Sequence, residues 1–455
     1  MNQEIVVLGA GESGVGAAIL AKKQGQDVFV SDSGAIAPRY RDELQEWKIG
    51  FEEGGHSEER ILNAKEIIKS PGIPDKSPLI KKLIEKGIPI ISEIEYAGRF
   101  TQSTLIAITG SNGKTTTTCW IHHLLQEAGW DASLAGNVGV SLARQIAVAP
   151  HEYYVIELSS FQLDHMYSFK NHIAVLLNIT PDHLDRYNYS FDEYAEAKMR
   201  ILQNMEGDDF FVYWQEDQFI SQWLEQNPQK CTLLPFTTQE DKTVSGHLEE
   251  NSLVIETGDG ESFVIDRGEL ALPGRHNLQN AMAVAMVACA LHIPASTIRR
   301  ALRNYKNVAH RMESVAVING VSYINDSKAT NVNSTWYALE SVRTPVILIL
   351  GGTDKGNDYS DIIGLVREKV RAMVFLTKDT EKLHRSFDSV VSQISEASSM
   401  EEAVRKAQYL ADFGDTVLLS PACASFDLFK NYEDRGDQFK SVVLKINNEQ
   451  KKGDD

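Results

Sequence analysis

The 455-residue chain is too long for one hydrophobic core and suggests about three domains. Its hydrophobic content of 42% and charged content of 24% are ordinary for a globular enzyme. The net charge of −18 argues against a nucleic-acid or anionic-membrane partner, because a polyanion is bound by a cationic surface. Four widely spaced cysteines, Cys119, Cys231, Cys289 and Cys423, form no CxxC pair and predict reduced thiols.

The N-terminal segment shows no basic region or cleavage site of a secretory leader. The longest apolar stretch, residues 281–293, is alanine-rich and shorter than the roughly 20 residues that span a bilayer. We therefore expect a buried helix there, and a soluble cytoplasmic protein without a membrane partner.

Residues 1–94 alternate short apolar runs with helical stretches, which predicts a Rossmann-like parallel α/β domain. The runs are Ile5–Leu8, Asp27–Val30, Glu66–Lys69 and Pro89–Ser92.

A glycine-rich turn, Gly9-Ala-Gly-Glu-Ser-Gly14, follows the first of these strands. With Asp32 at the end of the second strand it matches the fingerprint of dinucleotide-binding folds. The pattern itself requires only a backbone that closely approaches a diphosphate, and a turn that serves helix packing is the alternative. A second tight turn, Ser70-Pro-Gly-Ile-Pro74, lies at a strand's carboxyl end, where open parallel sheets bind ligands.

The most informative segment is Ala107-Ile-Thr-Gly-Ser-Asn-Gly-Lys-Thr-Thr-Thr117, between a predicted strand at Leu105–Ile108 and a helix that begins near Thr115. It is a variant of the phosphate-binding loop in which Ile108 stands where the strict pattern has glycine. Such a loop turns its N–H groups toward phosphates, while its lysine adds positive charge and its threonine hydroxyl binds Mg²⁺. The pattern predicts a nucleotide triphosphate site.

Residues 95–300 form the predicted central domain, a phosphate-loop ATPase-like parallel sheet with extra strands. Strands are expected at Tyr153–Leu158, at Ile173–Ile179 and in a strand-rich stretch near 210–267. The segment Pro273–Asn280 is expected to cap a helix that runs to about Leu291.

Two side chains at the strand ends of this domain suit a metal. Glu157 finishes an apolar strand, and a carboxylate there is costly to bury unless it meets a cation. His183 follows the next strand, between Asp182 and Asp185. Lys198, by contrast, reads from its own segment as a surface lysine of an amphipathic helix.

Residues 301–455 predict a C-terminal Rossmann-like domain with strands at Val315–Ile318, Val346–Leu350, Met373–Leu376 and Thr416–Leu419. Three polar loops follow its strands, and two of them place a lysine, Lys328 or Lys355, at the sheet's carboxyl edge, suited to an anionic substrate. The third is the small-residue run from Ser420 to Asp427. The tail 447–455 is polar and is expected to fray.

Taken together, these motifs resemble the Mur ligase family over essentially the whole chain. The shared runs are Thr109–Thr116, Gly136–Gly139, Glu157–Ser160, Asn178–Asp185, His276–Asn280, His310–Glu313, Asp326–Asn331 and Ser420–Asp427. The last two single out, within the family, the members that add D-glutamate.

The resemblance implies an ATP-dependent acid–D-amino-acid ligase. ATP phosphorylates UDP-N-acetylmuramoyl-L-alanine, and D-glutamate attacks the acyl phosphate, releasing ADP and phosphate for peptidoglycan precursor synthesis. It also implies two Mg²⁺ ions, small-molecule partners only and carbamylation of Lys198, which turns a cation into an anionic metal ligand. We expect a monomer.

The resemblance assigns residues to four roles. Catalytic roles fall to Lys114, Glu157, His183 and Lys198. ATP would be held by Gly110, Ser111, Asn112, Gly113, Lys114, Thr115, Thr116, Asn277, Asn280, Arg311 and Asp326. The UDP donor would be held by Ser13, Asp32, Ser33, Ser70, Gly72 and Asn137, and D-glutamate by Lys328, Thr330, Lys355, Ser425 and Phe426. Metal ligands would be Thr115, Glu157, His183 and carbamylated Lys198.

One departure concerns Glu12, which stands in the N-terminal glycine turn where relatives often have Leu-Thr. An acid beside a diphosphate is unfavourable, so Glu12 is expected to contribute only its backbone. Tyr432 stands where an aromatic is usual near the D-glutamate pocket.

Four alternatives compete with this interpretation. An NAD-dependent oxidoreductase explains only the first 35 or so residues. Folylpolyglutamate synthetase shares the ligase core and adds glutamate, but its family lacks a separate domain before the phosphate loop. Another Mur ligase would carry different motifs in its third domain. A non-enzymatic phosphate-loop scaffold or switch would need no amino-acid pocket.

Overall fold

The computed structural model describes residues 4–182, 184–256, 262–354 and 356–451. Its strands form three sheets, and the α/β class predicted from the sequence is confirmed. The chain divides into two compact units, residues 1–271 with 279–305 and residues 272–278 with 306–455. The first unit holds two sheets and the second holds the third. The domain limits at residues 94 and 300 stay a prediction.

The first sheet is wholly parallel, with the order β3-β2-β1-β4-β5. Its strands are β1 (Ile5–Leu8), β2 (Val28–Ser31), β3 (Gly50–Glu52), β4 (Glu66–Lys69) and β5 (Ile90–Ile91). Its helices are α1 (Glu12–Lys23), α2 (Pro38–Glu46), α3 (Glu58–Ile61), α4 (Pro78–Glu85) and α5 (Glu93–Gly98). The order reverses between β1 and β4, and ligands of such sheets bind in the crevice at that point.

The N-terminal glycine turn is shaped by a close backbone contact at this crevice. A Cβ placed on Gly14 would lie 1.9 Å from the carbonyl oxygen of Gly9. Gly9 itself has φ of +93° and approaches the Ser70 side chain, whose Oγ would lie 2.6 Å from a Cβ at Gly9. The two predicted turns therefore meet, and glycine is required where they do.

The second sheet has the order β14-β13-β12-β11-β10-β9-β6-β8-β7, antiparallel only from β12 to β14. Its strands are β6 (Thr104–Thr109), β7 (Ala132–Gly136), β8 (Tyr153–Glu157), β9 (Ile173–Leu176), β10 (Phe210–Trp214), β11 (Thr232–Phe236), β12 (Gly246–Glu249), β13 (Ser252–Glu256) and β14 (Ser262–Asp266). Its helices are α6 (Lys114–Glu127), α7 (Leu142–Val148), α8 (Ser160–Leu163), α9 (Phe191–Met199), α10 (Gln218–Gln226), α11 (Arg275–Ala290) and α12 (Ala295–Asn304). Strand β6 lies between β9 and β8 in the sheet, so the loops that follow those two strands flank the loop that follows β6.

Helix α11 differs from the expectation at its start. It begins at Arg275, so most of the segment expected to cap it lies inside its first turns. Its residues 281–288 are buried, which confirms that the longest apolar stretch is a core helix. Among the described helices, none combines the length and apolar character needed to cross a membrane.

The third sheet has the order β15-β16-β20-β17-β18-β19, with only β15 antiparallel. Its strands are β15 (Glu313–Ile318), β16 (Val321–Asn325), β17 (Val346–Leu350), β18 (Val370–Leu376), β19 (Ile394–Ala397) and β20 (Thr416–Leu419). Its helices are α13 (Val332–Ser341), α14 (Ser360–Lys369), α15 (Glu381–Phe387), α16 (Met400–Leu410) and α17 (Tyr432–Lys451).

Two features of this sheet were not expected. Strands β16 and β19 were missed, because partly exposed residues interrupt the apolar run that marks β17 and β20. Helix α17 continues to Lys451, so the predicted fraying of residues 447–451 is wrong, and residues 452–455 lie outside the described chain.

Candidate functional site

The phosphate loop joins β6 to α6 as the sequence predicted. Gly110 has φ of +149° and Gly113, the residue before α6, has φ of +83°. Both values lie in the region that favours glycine, and they turn the backbone from the end of β6 into the first turn of α6. The hydroxyls of Thr115 and Thr116 are buried at this end of the helix.

A polar loop after β9 supports the phosphate loop from one side. The Asn112 N–H donates to Asn178 Oδ1 at 2.9 Å, and the Ser111 hydroxyl donates to the Thr180 carbonyl at 2.8 Å. On α11, Asn280 Oδ1 accepts from the Thr117 hydroxyl at 3.2 Å and would lie 2.5 Å from a Cβ on Gly113. The loop is therefore held on a rigid scaffold.

Two lysine ammonium groups converge on this loop. Lys114 Nζ donates to the carbonyls of Gly110 and Ser111 at 2.7 and 2.8 Å. Lys198 Nζ donates to the same Gly110 carbonyl at 2.9 Å. Two like charges so close favour the neutral form of the more buried one.

Lys198 is that group, and its position corrects the reading of it as a surface residue. It is 2% exposed. Burial, reinforced by the charge of Lys114, holds its pKa well below the usual range. The ring of Tyr194, one helical turn earlier on α9, lies 4.7 Å from Nζ. A lowered pKa increases the fraction of neutral, nucleophilic amine, which is the form that reacts in carbamylation.

Glu157 ends β8 beside the loop and is 1% exposed. Its Oε1 accepts from the Asn137 side-chain amide at 2.9 Å. Its Oε2 is buried and has no hydrogen-bond partner among the described residues. A buried carboxylate oxygen left unpaired is costly, and a hard cation is the partner that such an oxygen suits.

Only some of the predicted metal ligands lie among the described residues. Within the described residues, no group of three His, Cys, Asp or Glu side chains is arranged to hold an ion. His183 lies outside the described residues. The described donors that fit Mg²⁺ are the orphaned oxygen of Glu157 and the hydroxyl of Thr115.

At the first sheet, the carboxylate of Asp32 hydrogen-bonds to the backbone of the N-terminal glycine turn and of the loop after β2. Its Oδ2 accepts from the Ala10 N–H at 2.7 Å and its Oδ1 from the Gly34 N–H at 2.8 Å. Ser70 Oγ is buried and has no partner among the described residues. Ser13 lies in the first turn of α1, and Ser33 and Gly72 lie in the loops after β2 and β4. All six predicted donor residues except Asn137 thus lie at the carboxyl edge of this sheet.

In the second unit, three neighbouring parallel strands, β16, β20 and β17, carry the loops predicted to bind the acceptor. Ser425 is buried and Thr330 half-buried, whereas the Phe426 side chain is 72% exposed. Lys328 Nζ lies 5.4 Å from the ring of Tyr432, which gives that aromatic a partner. Lys355 lies outside the described residues.

Asp326 is the buried acid of this edge. It accepts from the Ser420 hydroxyl at 2.9 Å, and burial raises its pKa to about 6. Nearby, burial and the charge of Arg311 lower the pKa of His276 to about 4. His276 Nδ1 and Arg311 Nε are buried without partners among the described residues. Asn277 donates to the Pro273 carbonyl at 2.8 Å.

Two positioning residues were missed by sequence reasoning. Tyr194 contacts both Lys198 and the Ser111 hydroxyl, at 2.9 Å, and its spacing of four residues from Lys198 on one helix was an available signal. Arg435 is 1% exposed and donates to the carbonyls of Ser327 and Cys423 at 2.8 and 3.2 Å. No local pattern distinguishes Arg435 from a surface arginine of α17.

Family models match the chain in three parts. The Mur ligase MurD-like N-terminal domain matches residues 3–92, the Mur ligase middle domain residues 108–288, and the Mur ligase glutamate ligase domain residues 310–423. The chain belongs to the Mur ligase family. The resemblance seen in the sequence is thereby confirmed, and the separate N-terminal domain argues against folylpolyglutamate synthetase.

Individual relatives agree with this membership. A UDP-N-acetylmuramoylalanine–D-glutamate ligase of Porphyromonas gingivalis is 60% identical over 98% of this chain and 99% of its own. Another of that name, from Bacteroides thetaiotaomicron, is 53% identical over 98% and 100%. Among solved structures, a pseudomurein peptide ligase type C from Methanothermus fervidus shares the fold of this Mur ligase, with a TM-score of 0.62 at 19% identity over 98% of this chain and 100% of its own.

Proposed function

We propose that this Mur ligase adds D-glutamate to UDP-N-acetylmuramoyl-L-alanine at the expense of ATP. The observation that carries the proposal is the 60% identity, over nearly the whole length of both chains, to a ligase of that name. The buried loops of the third sheet support it, because Ser425 and Lys328 offer a hydroxyl and an ammonium group to an amino-acid carboxylate.

The first chemical step is phosphoryl transfer. A carboxylate oxygen of the L-alanyl donor attacks the γ-phosphorus of ATP, the bond to the β,γ-bridging oxygen breaks, and ADP leaves. Lys114 would exchange the carbonyls of Gly110 and Ser111 for the β- and γ-phosphate oxygens, while the N–H groups that open α6 bind the remaining charge. Asp326, Arg311, Asn277 and Asn280 would hold the nucleoside and phosphates.

The second step forms the amide. The amine of D-glutamate attacks the acyl carbon, the carbon–oxygen bond to phosphate breaks, and the amine proton is lost. Lys328, Thr330, Lys355, Ser425 and Phe426 would orient D-glutamate so that its amine faces the acyl phosphate. Asn137, fixed by its hydrogen bond to Glu157, would orient the donor's acyl end.

Mg²⁺ fits this site on the evidence of the unpaired Glu157 Oε2. We propose that Glu157, Thr115, His183 and carbamylated Lys198 hold two ions. Bound there, Mg²⁺ would neutralise the repulsion between two anionic reactants. The lowered pKa of Lys198 supports the carbamate, because it increases the fraction of free amine that can react with CO₂.

The nucleotide-sugar donor would lie at the crevice of the first sheet, against Ser13, Asp32, Ser33, Ser70 and Gly72. The unpaired Ser70 hydroxyl and the N-terminus of α1 supply donors for a diphosphate. Because the donor and D-glutamate are small and water-soluble, we also propose that the protein is cytoplasmic. We propose that it is a monomer, and sedimentation of the purified chain would check this.

The deciding experiment is phosphate release with Mg-ATP and UDP-N-acetylmuramoyl-L-alanine, comparing D-glutamate, L-glutamate and a diamino acid. Release that requires both the nucleotide donor and D-glutamate is the expected result. Release with another amino acid would move the enzyme to a different member of the family. No release with any acceptor would refute the proposal.

A further inference from the structure

Glu12 has defined partners even though an acid is unfavourable beside a diphosphate. Its Oε1 accepts from Arg144 Nε at 2.8 Å and from the Ser141 N–H at 3.2 Å. Both partners lie at the start of α7, which belongs to the second sheet, whereas Glu12 opens α1 of the first. The carboxylate of Glu12 therefore joins two sheets and has its charge balanced by Arg144.

A second carboxylate reaches the same point from another helix. Glu93, the first residue of α5, is 4% exposed. Its Oε1 accepts from the Ser141 hydroxyl at 2.7 Å and from the Ala143 N–H at 2.6 Å. An ionised carboxylate is costly to bury, and the donors at the N-terminus of α7 offset part of that cost. Two acids from separate elements thus converge on Ser141.

The packing around Ser141 leaves no space for slippage. Ser141 is 2% exposed, and its Oγ would lie 2.1 Å from a Cβ placed on Gly16 of α1. Arg144 also pairs with Glu43 of α2. Helices α1, α2 and α5 of the first sheet therefore all hold the start of α7. We call Glu12, Glu93, Ser141 and Arg144 the Ser141 clamp.

The clamp is directly connected to the candidate site. Ser141 follows the Gly136–Gly139 turn, in which Asn137 donates to Glu157 Oε1 at 2.9 Å and, through its backbone N–H, to the Glu157 carbonyl at 2.9 Å. Gly139 has φ of +85°, and a Cβ there would lie 2.6 Å from the Leu134 carbonyl oxygen. This turn is rigid, so the position of Ser141 determines that of Asn137.

We propose that the Ser141 clamp positions the Asn137 turn relative to the N-terminal glycine turn, and so sets the spacing between the two ends of the nucleotide-sugar donor. This inference rests on the proposed function, in which the first sheet binds the nucleotide end and Asn137 the acyl end. In this proposal the clamp side chains act through the two turns and not on the donor itself. A misplacement of about 1 Å between such subsites is enough to lower a rate severely.

The test compares Glu12→Gln, Arg144→Met and the double variant. We expect kcat/KM for the whole donor to fall about tenfold in each single variant, and in the double variant by less than the product of the two losses, because both changes break the Glu12–Arg144 pair. Affinity for UDP alone, which occupies only one end, should stay within about twofold of wild type. The control is Glu58→Gln, which breaks an exposed ion pair with Lys82 on the same sheet and should change nothing.

Arg144→Lys, which keeps a cation, distinguishes positioning from loss of folding, since it should restore part of the lost kcat/KM. Wild-type values for the whole donor in the single variants would overturn the clamp. So would an equal loss of UDP affinity, which would make Glu12 a direct ligand. A wild-type enzyme without product from any acceptor would overturn the proposed function as well, whereas turnover with an unexpected acceptor leaves the donor comparison valid.

Discussion

The two glycine-rich turns of the first unit both follow buried parallel strands and precede helices. They differ in the charge of the side chains that hydrogen-bond to their backbone. At the phosphate loop, the positively charged Lys114 donates through Nζ to the Gly110 carbonyl, as does Lys198 Nζ. At the N-terminal turn, the carboxylate of Asp32 accepts from the Ala10 N–H.

The charge of these side chains determines what each turn can offer a ligand. At the phosphate loop the ammonium group of Lys114 occupies two carbonyl oxygens and adds positive charge, which favours the phosphates of a nucleotide. A carboxylate occupies an N–H and adds negative charge, so the N-terminal turn suits a less charged group that approaches the backbone closely. The glycine spacing alone, which resembles an NAD fingerprint, does not carry this distinction.

The largest effect is expected from removing the buried side chain of Lys198. Lys198→Ala should lower kcat about 10³-fold or more, because an anionic ligand would be lost from a preorganised charged site. Bicarbonate should not restore activity, whereas a short carboxylic acid such as acetate should restore part of it. Steady-state phosphate release measures this, with exposed Lys22→Ala as the control. Full activity of Lys198→Ala in bicarbonate-free buffer would remove Lys198 from the site.

Adding a methyl group to each turn should separate their ligands. In Gly113→Ala the new Cβ would lie 2.5 Å from Asn280 Oδ1 at φ of +83°, and in Gly14→Ala it would lie 1.9 Å from the Gly9 carbonyl oxygen. Strain of this kind costs about 1–3 kcal/mol. We expect KM for ATP to rise about tenfold or more in the first variant, and KM for the nucleotide-sugar donor in the second.

Gly207→Ala, in the loop before β10 and outside both turns, is the control for this pair, because its Cβ would meet nothing within 4 Å. It should leave both KM values near wild type. If Gly14→Ala changed KM for ATP and spared the donor, the assignment of ligands to the two turns would be reversed.

The sequence predicted the phosphate loop, Glu157 and the sheet edges because each depends on local order: a buried strand, a turn and a helix in succession. Lys198 could not be found in that way. Its segment looks amphipathic, and its burial results from packing against Tyr194 and a loop 88 residues away.

Glu12 illustrates the same limit. Its partner Arg144 lies 132 residues further along the chain, so no spacing rule connects the two. The sequence signalled only that an acid was out of place beside a diphosphate. The structure supplies the reason, since the charge is balanced by a residue of another sheet.

The free energy of unfolding is expected to depend on pH through Glu93, the buried carboxyl group of the Ser141 clamp. Burial, with a smaller contribution from the charge of Glu12, raises its pKa from 4.5 to about 7, against the hydrogen bonds from Ala143 and Ser141 and the charge of Arg144. The folded state therefore holds this proton more tightly than the unfolded state, so the free energy of unfolding decreases as the pH rises from about 4.5 to 7.

Glu93→Gln removes this dependence while its Oε1 can still accept from Ser141 and Ala143. Relative to wild type, the variant should gain stability as the pH rises, by up to about 3 kcal/mol at pH 8 and by almost nothing near pH 4.5. Urea unfolding at both pH values measures the difference, and Glu58→Gln, far from the clamp, should show no such trend. An equal change at both pH values would contradict a raised pKa.

The smallest effect is expected at the carboxylate that closes the N-terminal turn. Asp32→Asn keeps one oxygen acceptor but faces the second backbone N–H with an amide donor, so one of the bonds from Ala10 and Gly34 is lost. A hydrogen bond to a charged group contributes about 1.5 kcal/mol, which corresponds to roughly tenfold in KM for the donor.

KM for ATP should not change in this variant, because the phosphate loop is closed by its own lysines. Calorimetric titration with UDP, alongside exposed Asp27→Asn as the control, separates a distorted turn from a general loss of structure. A gain in UDP affinity would instead mean that the negative charge of Asp32 repels the diphosphate. In that case the charged side chains bonded to the two turns would act on the ligands directly, and not only through the backbone groups to which they are hydrogen-bonded.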